Sequence, residues 1–155
     1  MEPSSHFLYP STLFVAREPY LVNTILGSCV AVCLYDTFLQ YGGINHYMLP
    51  FWNGQGLASP KYGNIAIQKL LDKMIYLGSS QRNLIAKVFG GANVIETNNV
   101  QFMIGDRNIN VAIDMLKEMQ INIISQSTGG NLGRKIQFLT NTGEVKQKII
   151  MKTNP

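Results

Sequence analysis

The chain has 155 residues, 46% of them hydrophobic and 14% charged, which is enough apolar material for one compact domain and excludes disorder driven by charge. A formal charge of +4 is mild for this length and is not gathered along one element, so a nucleic-acid binder is not expected. No apolar run approaches the ~18 residues of a membrane span, and no charged segment leads into a hydrophobic leader; neither membrane insertion nor export is expected, which points to the cytoplasm.

Residues 1–10, with two prolines and two serines and no sustained period, are predicted to form a flexible N-terminal arm, and residues 11–152 the single domain. Thr12–Ala16 is apolar enough for a first strand, broken at Glu18-Pro19. Val30–Tyr35 and Gly43–Leu49 are β-rich runs ending at Asp36 and Pro50, and the short connection between them predicts an antiparallel pair. Phe51–Gly63 holds several glycines and the only tryptophan, Trp52, and reads as a loop whose aromatics cover a site or plug the core edge.

Beyond it, Ile67, Leu70, Leu71, Met74 and Ile75 recur at helical spacing, predicting a helix capped by Asn64 and stopped by Gly78. Leu84–Phe89 reads as a buried strand followed by a tight Gly90-Gly91 turn, and Asn93–Phe102 as a polar loop. Asn108 to Met119 predicts a second amphipathic helix, Ile121–Ser125 a strand, and Ile136–Leu139 with Val145–Met151 a closing hairpin. Arg134, Lys135, Lys146, Lys148 and Lys152 form the densest basic cluster and read as a solvated face. Strands outnumber helices and alternate with them, which predicts an α/β or α+β single layered domain, a mixed β-sheet or sandwich with two main amphipathic helices.

The candidate chemistry lies at Gly27-Ser28-Cys29. A Gly-Ser turn delivers a thiol at the mouth of an apolar run, where Gly27 and Ser28 place backbone amides beside the sulfur. A cysteine in such a run is ordinarily a small core hydrophobe, which is the reading for Cys33. Cys29 differs by its turn and by His46 on the neighbouring strand, since a thiol attacks carbonyls as thiolate and needs an imidazole to take its proton. Antiparallel pairing sets the two side by side. With only Cys29, Cys33 and His46 as candidate ligands a metal site is poorly formed, so no metal or cofactor is expected.

These residues carry a resemblance. The run Thr24 to Asp36, then Gly42-Gly43-Ile44-Asn45-His46-Tyr47-Met48-Leu49-Pro50, is similar to the signature of the CheD family of chemoreceptor glutamine deamidases. Lys87 to Ala92, Ile104-Gly105-Asp106-Arg107-Asn108-Ile109, and Thr128 to Arg134 follow in the family's order, so the likeness spans roughly residues 15 to 145.

The resemblance implies deamidation of receptor glutamines to glutamates, with Cys29 as nucleophile, His46 as base, and no cofactor. It also implies chemoreceptor cytoplasmic domains as protein substrate and a CheC-type phosphatase as a further partner. Family members orient the histidine with a threonine six residues before the cysteine. Here Asn23 holds that offset and Thr24 the next position; both can accept a hydrogen bond, so both remain candidates. The competing reading is a noncatalytic module that binds receptors or the phosphatase without modifying them.

Overall fold

The computed structural model describes residues 2–93 and 103–151. In chain order its elements are β1 (Ser4–Phe7), β2 (Thr12–Ala16), β3 (Tyr20–Leu26), β4 (Val30–Asp36), β5 (Tyr41–His46), α1 (Gly63–Tyr76), β6 (Leu84–Gly90), α2 (Ile104–Glu118), β7 (Asn122–Thr128), β8 (Gly133–Leu139) and β9 (Val145–Ile150). One sheet runs β1-β3-β8-β9 and the other β2-β5-β4-β6-β7. Each sheet is mixed, with β1 parallel to β3 and β6 parallel to β7. Parallel neighbours need a crossover rather than a hairpin, and the segment containing α2 supplies it between β6 and β7. The result is an α+β domain in three layers.

β4 explains the layering. Its side chains alternate between two cores: Val30, Val32 and Leu34 face α1 and α2, while Ala31 and Cys33 face the other sheet. A strand covered on both faces reads as a continuous apolar run, which is how it stands in the sequence. Between the sheets, Val22 and Leu26 of β3 and Ile136 and Phe138 of β8 complete the second core.

Several expectations are corrected. The arm predicted over residues 1–10 contains β1, and Leu8 is fully buried between the sheets, because parallel pairing with β3 satisfies the backbone of a segment whose composition looks irregular. β3 itself was not predicted from its sequence. Asn64 does not cap α1: the helix begins at Gly63 after Tyr62 with no side-chain cap, and Asn64 instead accepts the Trp52 backbone N–H at 3.0 Å. α2 begins four residues earlier than the apolar spacing suggests, at Ile104. The predicted loop over 94–102 and Lys152 lie outside the described residues.

Candidate active site

Gly27, Ser28 and Cys29 form the crossing from β3 in one sheet to β4 in the other, and all three are half-buried between the buried Leu26 and Val30. A crossing loop has no ladder of its own, so its carbonyls must find donors elsewhere. The end of β6 provides them: Gly91 N–H donates to the Cys29 carbonyl at 2.9 Å and Ala92 N–H to the Gly27 carbonyl at 3.0 Å. Gly90 makes this approach possible. Its φ is +105°, and a Cβ there would lie 2.2 Å from the Cys29 carbonyl oxygen, so both conformation and space require glycine.

Arg134 ties the same corner together, which corrects its assignment to a solvated basic face. It is buried, and its guanidinium donates to the carbonyls of Gly90 at 3.1 Å and Gly129 at 2.8 Å. The signal was present in the sequence: Arg134 shares strand parity with Ile136 and Phe138, both buried in the inter-sheet core.

His46 ends β5 and is only 2% exposed. Cys33 pairs with Ile44 and Val30 with Tyr47, a register that sets Ala31 across from His46 and Cys29 across from Met48. Cys29 and His46 are therefore diagonal neighbours on the inter-sheet face, an arrangement that spans about 7 Å in a regular ladder. The direct hydrogen bond between them expected from the sequence is not made: His46 Nε2 is buried without a partner among the described residues.

The other ring nitrogen is held. Thr24, fully buried on β3, places Oγ1 2.7 Å from His46 Nδ1 and 2.8 Å from the Leu8 carbonyl oxygen. A hydroxyl has one hydrogen, and a carbonyl can only accept, so the Thr24 proton goes to Leu8 and the Nδ1–H of His46 donates to Thr24. This proton count assigns the tautomer: Nδ1 is protonated and the Nε2 lone pair is free on the face shared with Cys29. Leu8, from a segment read as mobile arm, thus sets the protonation of the imidazole; no sequence pattern announces a backbone carbonyl in such a role.

Asn23, the other candidate for this position, does not reach the ring. It faces the outer side of its sheet, where its Oδ1 accepts from Gln137 Nε2 at 2.8 Å. One residue's shift along a strand reverses the facing, and β3 turns Val22, Thr24 and Leu26 inward.

Burial lowers the His46 pKa to about 4, so the ring is neutral at pH 7. Burial likewise raises the Cys29 thiol, an effect partly offset by its own backbone N–H. The pair at rest is thiol and neutral imidazole, with a proton to move and a lone pair to receive it. Cys33 is buried in the inter-sheet core, and desolvation pushes its thiol far up, with only partial relief from Lys87. Among the described residues no group of three or more His, Cys, Asp or Glu is placed to hold a metal.

Comparison with known proteins places the fold and site in context. A family model described as CheD, chemotactic sensory transduction, matches residues 48–149. A protein of Sulfurimonas denitrificans is 48% identical over 154 residues, covering 99% of both chains. The chain belongs to the CheD family. A relative in Trichlorobacter lovleyi is 48% identical over 140 residues, 90% of this chain and 87% of the relative. One in Rhodospirillum rubrum is 40% identical over 144 residues, 93% and 81% of the two chains. All three relatives are named probable chemoreceptor glutamine deamidase CheD. The family model begins just past His46, so the stretch carrying Cys29 and His46 is covered by the CheD relatives that match the chain nearly end to end. No helix among the described residues is long and apolar enough to cross a membrane.

Proposed function

We propose that this protein deamidates glutamine side chains of chemoreceptors, with Cys29 as nucleophile, His46 as general base and acid, and Thr24 as the residue that orients the imidazole. The observation that carries the reading is the Thr24–His46 contact at 2.7 Å, which leaves a bare Nε2 on the face that also holds Cys29. Family membership supports the substrate class, since the relatives' names specify chemoreceptor glutamines.

In the reaction, the Cys29 S–H proton moves to Nε2 as the sulfur bonds to the amide carbonyl carbon. Backbone N–H groups of Ser28 and Cys29 receive the oxyanion, and Gly27 lets the loop present them. The imidazolium then returns the proton to the leaving nitrogen, the C–N bond breaks, and ammonia departs from a thioester. Water attacks that thioester with His46 taking its proton, the C–S bond breaks, and the thiolate recovers its proton as glutamate is released. Neither a metal nor an organic cofactor enters any step.

The setting is cytoplasmic, at the receptors' cytoplasmic domains, in line with the reduced thiols Cys29 and Cys33. A CheC-type phosphatase is proposed as a second partner, which co-purification from cells carrying both proteins tests. For the reaction, ammonia release and mass change are measured on a purified receptor fragment. Cys29→Ala is expected to abolish both, and Cys33→Ala to retain turnover with about 1 kcal/mol of lost stability for the small cavity left behind. Full turnover by Cys29→Ala ends this reading.

A further inference from the structure

α2 approaches the site from the helix layer, on the far side of the larger sheet from the inter-sheet face where His46 and Thr24 meet. Its fifth residue, Asn108, is fully buried and donates both protons of its Nδ2: to the Ser28 carbonyl at 2.9 Å and to the Met48 carbonyl at 3.0 Å. Ser28 immediately precedes Cys29, and Met48 lies two residues past His46. One amide therefore bridges the two chain segments that carry the thiol and the imidazole. Its Oδ1 is buried with no partner among the described residues. Turning the amide over would set that oxygen against two carbonyl oxygens, so the neighbours fix its orientation. An unpaired buried acceptor is costly and calls for an explanation; here the group is retained for its two donors.

Next to this clamp the strand pair has one regular rung, where Val30 and Tyr47 exchange backbone hydrogen bonds at 3.1 and 3.0 Å. Between the Cys33–Ile44 pair and the Val30–Tyr47 bridge, the ladder is altered: Val32 N–H donates at 2.8 Å to the side-chain Oδ1 of Asn45. β4 and β5 are thus joined by a side-chain rung next to His46. Past the Val30–Tyr47 rung the backbone ladder stops, and Asn108 joins the two segments there, at Ser28 and Met48. α2 also braces the other support of the Cys29 loop. A Cβ on Gly105 would lie 2.3 Å from the Gly91 carbonyl oxygen, so the first turn of α2 presses directly on the turn whose N–H groups bind Gly27 and Cys29. Tyr47 adds a hydroxyl hydrogen bond to the Asn108 carbonyl.

We infer that Asn108 is a positioning residue for the reaction: it clamps the Cys29 loop to the His46 strand and sets the thiol–imidazole separation without touching substrate. This deepens the proposed function and rests on the assignment of Cys29 and His46. A misplacement on the order of 1 Å costs about 100-fold in rate when reacting groups must meet. Asn108→Leu, which removes both donors, is expected to lower kcat by about that factor with KM unchanged, because a fully buried side chain makes no contact with substrate.

Asn108→Asp keeps the shape and supplies a sharper readout. As a carboxylate it faces two carbonyl oxygens with no donor. Once protonated it restores one of the two hydrogen bonds. The ratio of its kcat to that of the unaltered protein is therefore expected to rise as pH falls from 8 to 5, a range in which His46 stays neutral.

The test measures kcat, KM and the folded fraction for both variants across that pH range, with Cys29→Ala alongside. A kcat loss at constant KM, partly recovered by Asn108→Asp at low pH, supports the clamp. Variants that keep kcat within about threefold at every pH, or whose losses match the loss of folded protein, overturn it. An inactive Cys29→Ala beside unimpaired Asn108 variants sinks the clamp alone; an active Cys29→Ala sinks the site assignment itself.

Discussion

Thr24→Val removes one oxygen from the interior and changes little else in shape. In the folded protein that oxygen has two partners, the Nδ1–H of His46 and the carbonyl of Leu8. Both are left unpaired among buried groups, each costing about 1–3 kcal/mol, so a stability loss of about 2–4 kcal/mol is expected after partial relaxation. The kinetic effect follows from the same bond. With no acceptor at Nδ1, the tautomer that leaves Nε2 unprotonated loses its partner and the ring loses the bond that fixes its orientation. Loss of about 2 kcal/mol of orientation corresponds to about a 30-fold fall in kcat, with KM unchanged because Thr24 is fully buried. Thr24→Ser, which keeps the hydroxyl, is expected to recover most of the rate. Asn23→Ala serves as the control, since that side chain bonds Gln137 on the outer face. The assay is ammonia release from a receptor fragment under conditions where each variant is folded. A Thr24→Val rate within about twofold of the unaltered protein, or a larger loss from Asn23→Ala, refutes the reasoning.

Two further outcomes follow from the same geometry. The His46 pKa is about 4 when folded and 6.5 as a free side chain, so below pH 6.5 the unfolded chain takes up a proton that the folded protein refuses. Stability from this source is complete above pH 6.5 and declines toward pH 4, by up to about 3 kcal/mol; denaturant titrations should show that slope, and His46→Gln should lack it. Gly90→Ala places a methyl 2.2 Å from the Cys29 carbonyl at a φ of +105°. Thermal unfolding should register a loss of at least about 3 kcal/mol, and turnover should fall with it as the Cys29 loop moves.

The parts of the fold that were legible are those where burial leaves a periodic trace. β4 shows as an unbroken apolar run because both of its faces are covered, and α1 shows through Ile67, Leu70, Leu71 and Met74 on one face. β1 and β3 were illegible for a physical reason. β3 turns Val22, Thr24 and Leu26 inward but carries Leu21 and Ile25 outward, so apolar residues fall on both faces and alternation is lost. β1 is four residues long and mostly exposed, a strand only because β3 offers it a parallel edge.

The site divides along the same line. Cys29 and His46 lie in or beside legible strands, so the turn and the strand pairing were enough to bring them forward as candidates. The choice between Asn23 and Thr24 could not be made by counting back from Cys29. The Gly27-Ser28 crossing interrupts the alternation, and only the pairing of Thr24 with Ile136 on β8 reveals which residue faces inward. Arg134 was misread because lysines surround it in sequence, although its strand parity matched two core residues. Asn108 lay in a recognised run, yet nothing in one dimension shows that its amide spans two carbonyls from distant segments.

The central claim is that His46 stands neutral beside Cys29 with its proton on Nδ1 and its Nε2 lone pair free. Nitrogen-15 NMR of histidine-labelled protein reads this directly, with His6 the one other histidine in the sequence. His46 at pH 7 is expected to show a protonated Nδ1 and an unprotonated Nε2, to titrate only near pH 4, and to lose this pattern in Thr24→Val. A His46 that carries its proton on Nε2, or is already an imidazolium at pH 7, contradicts it.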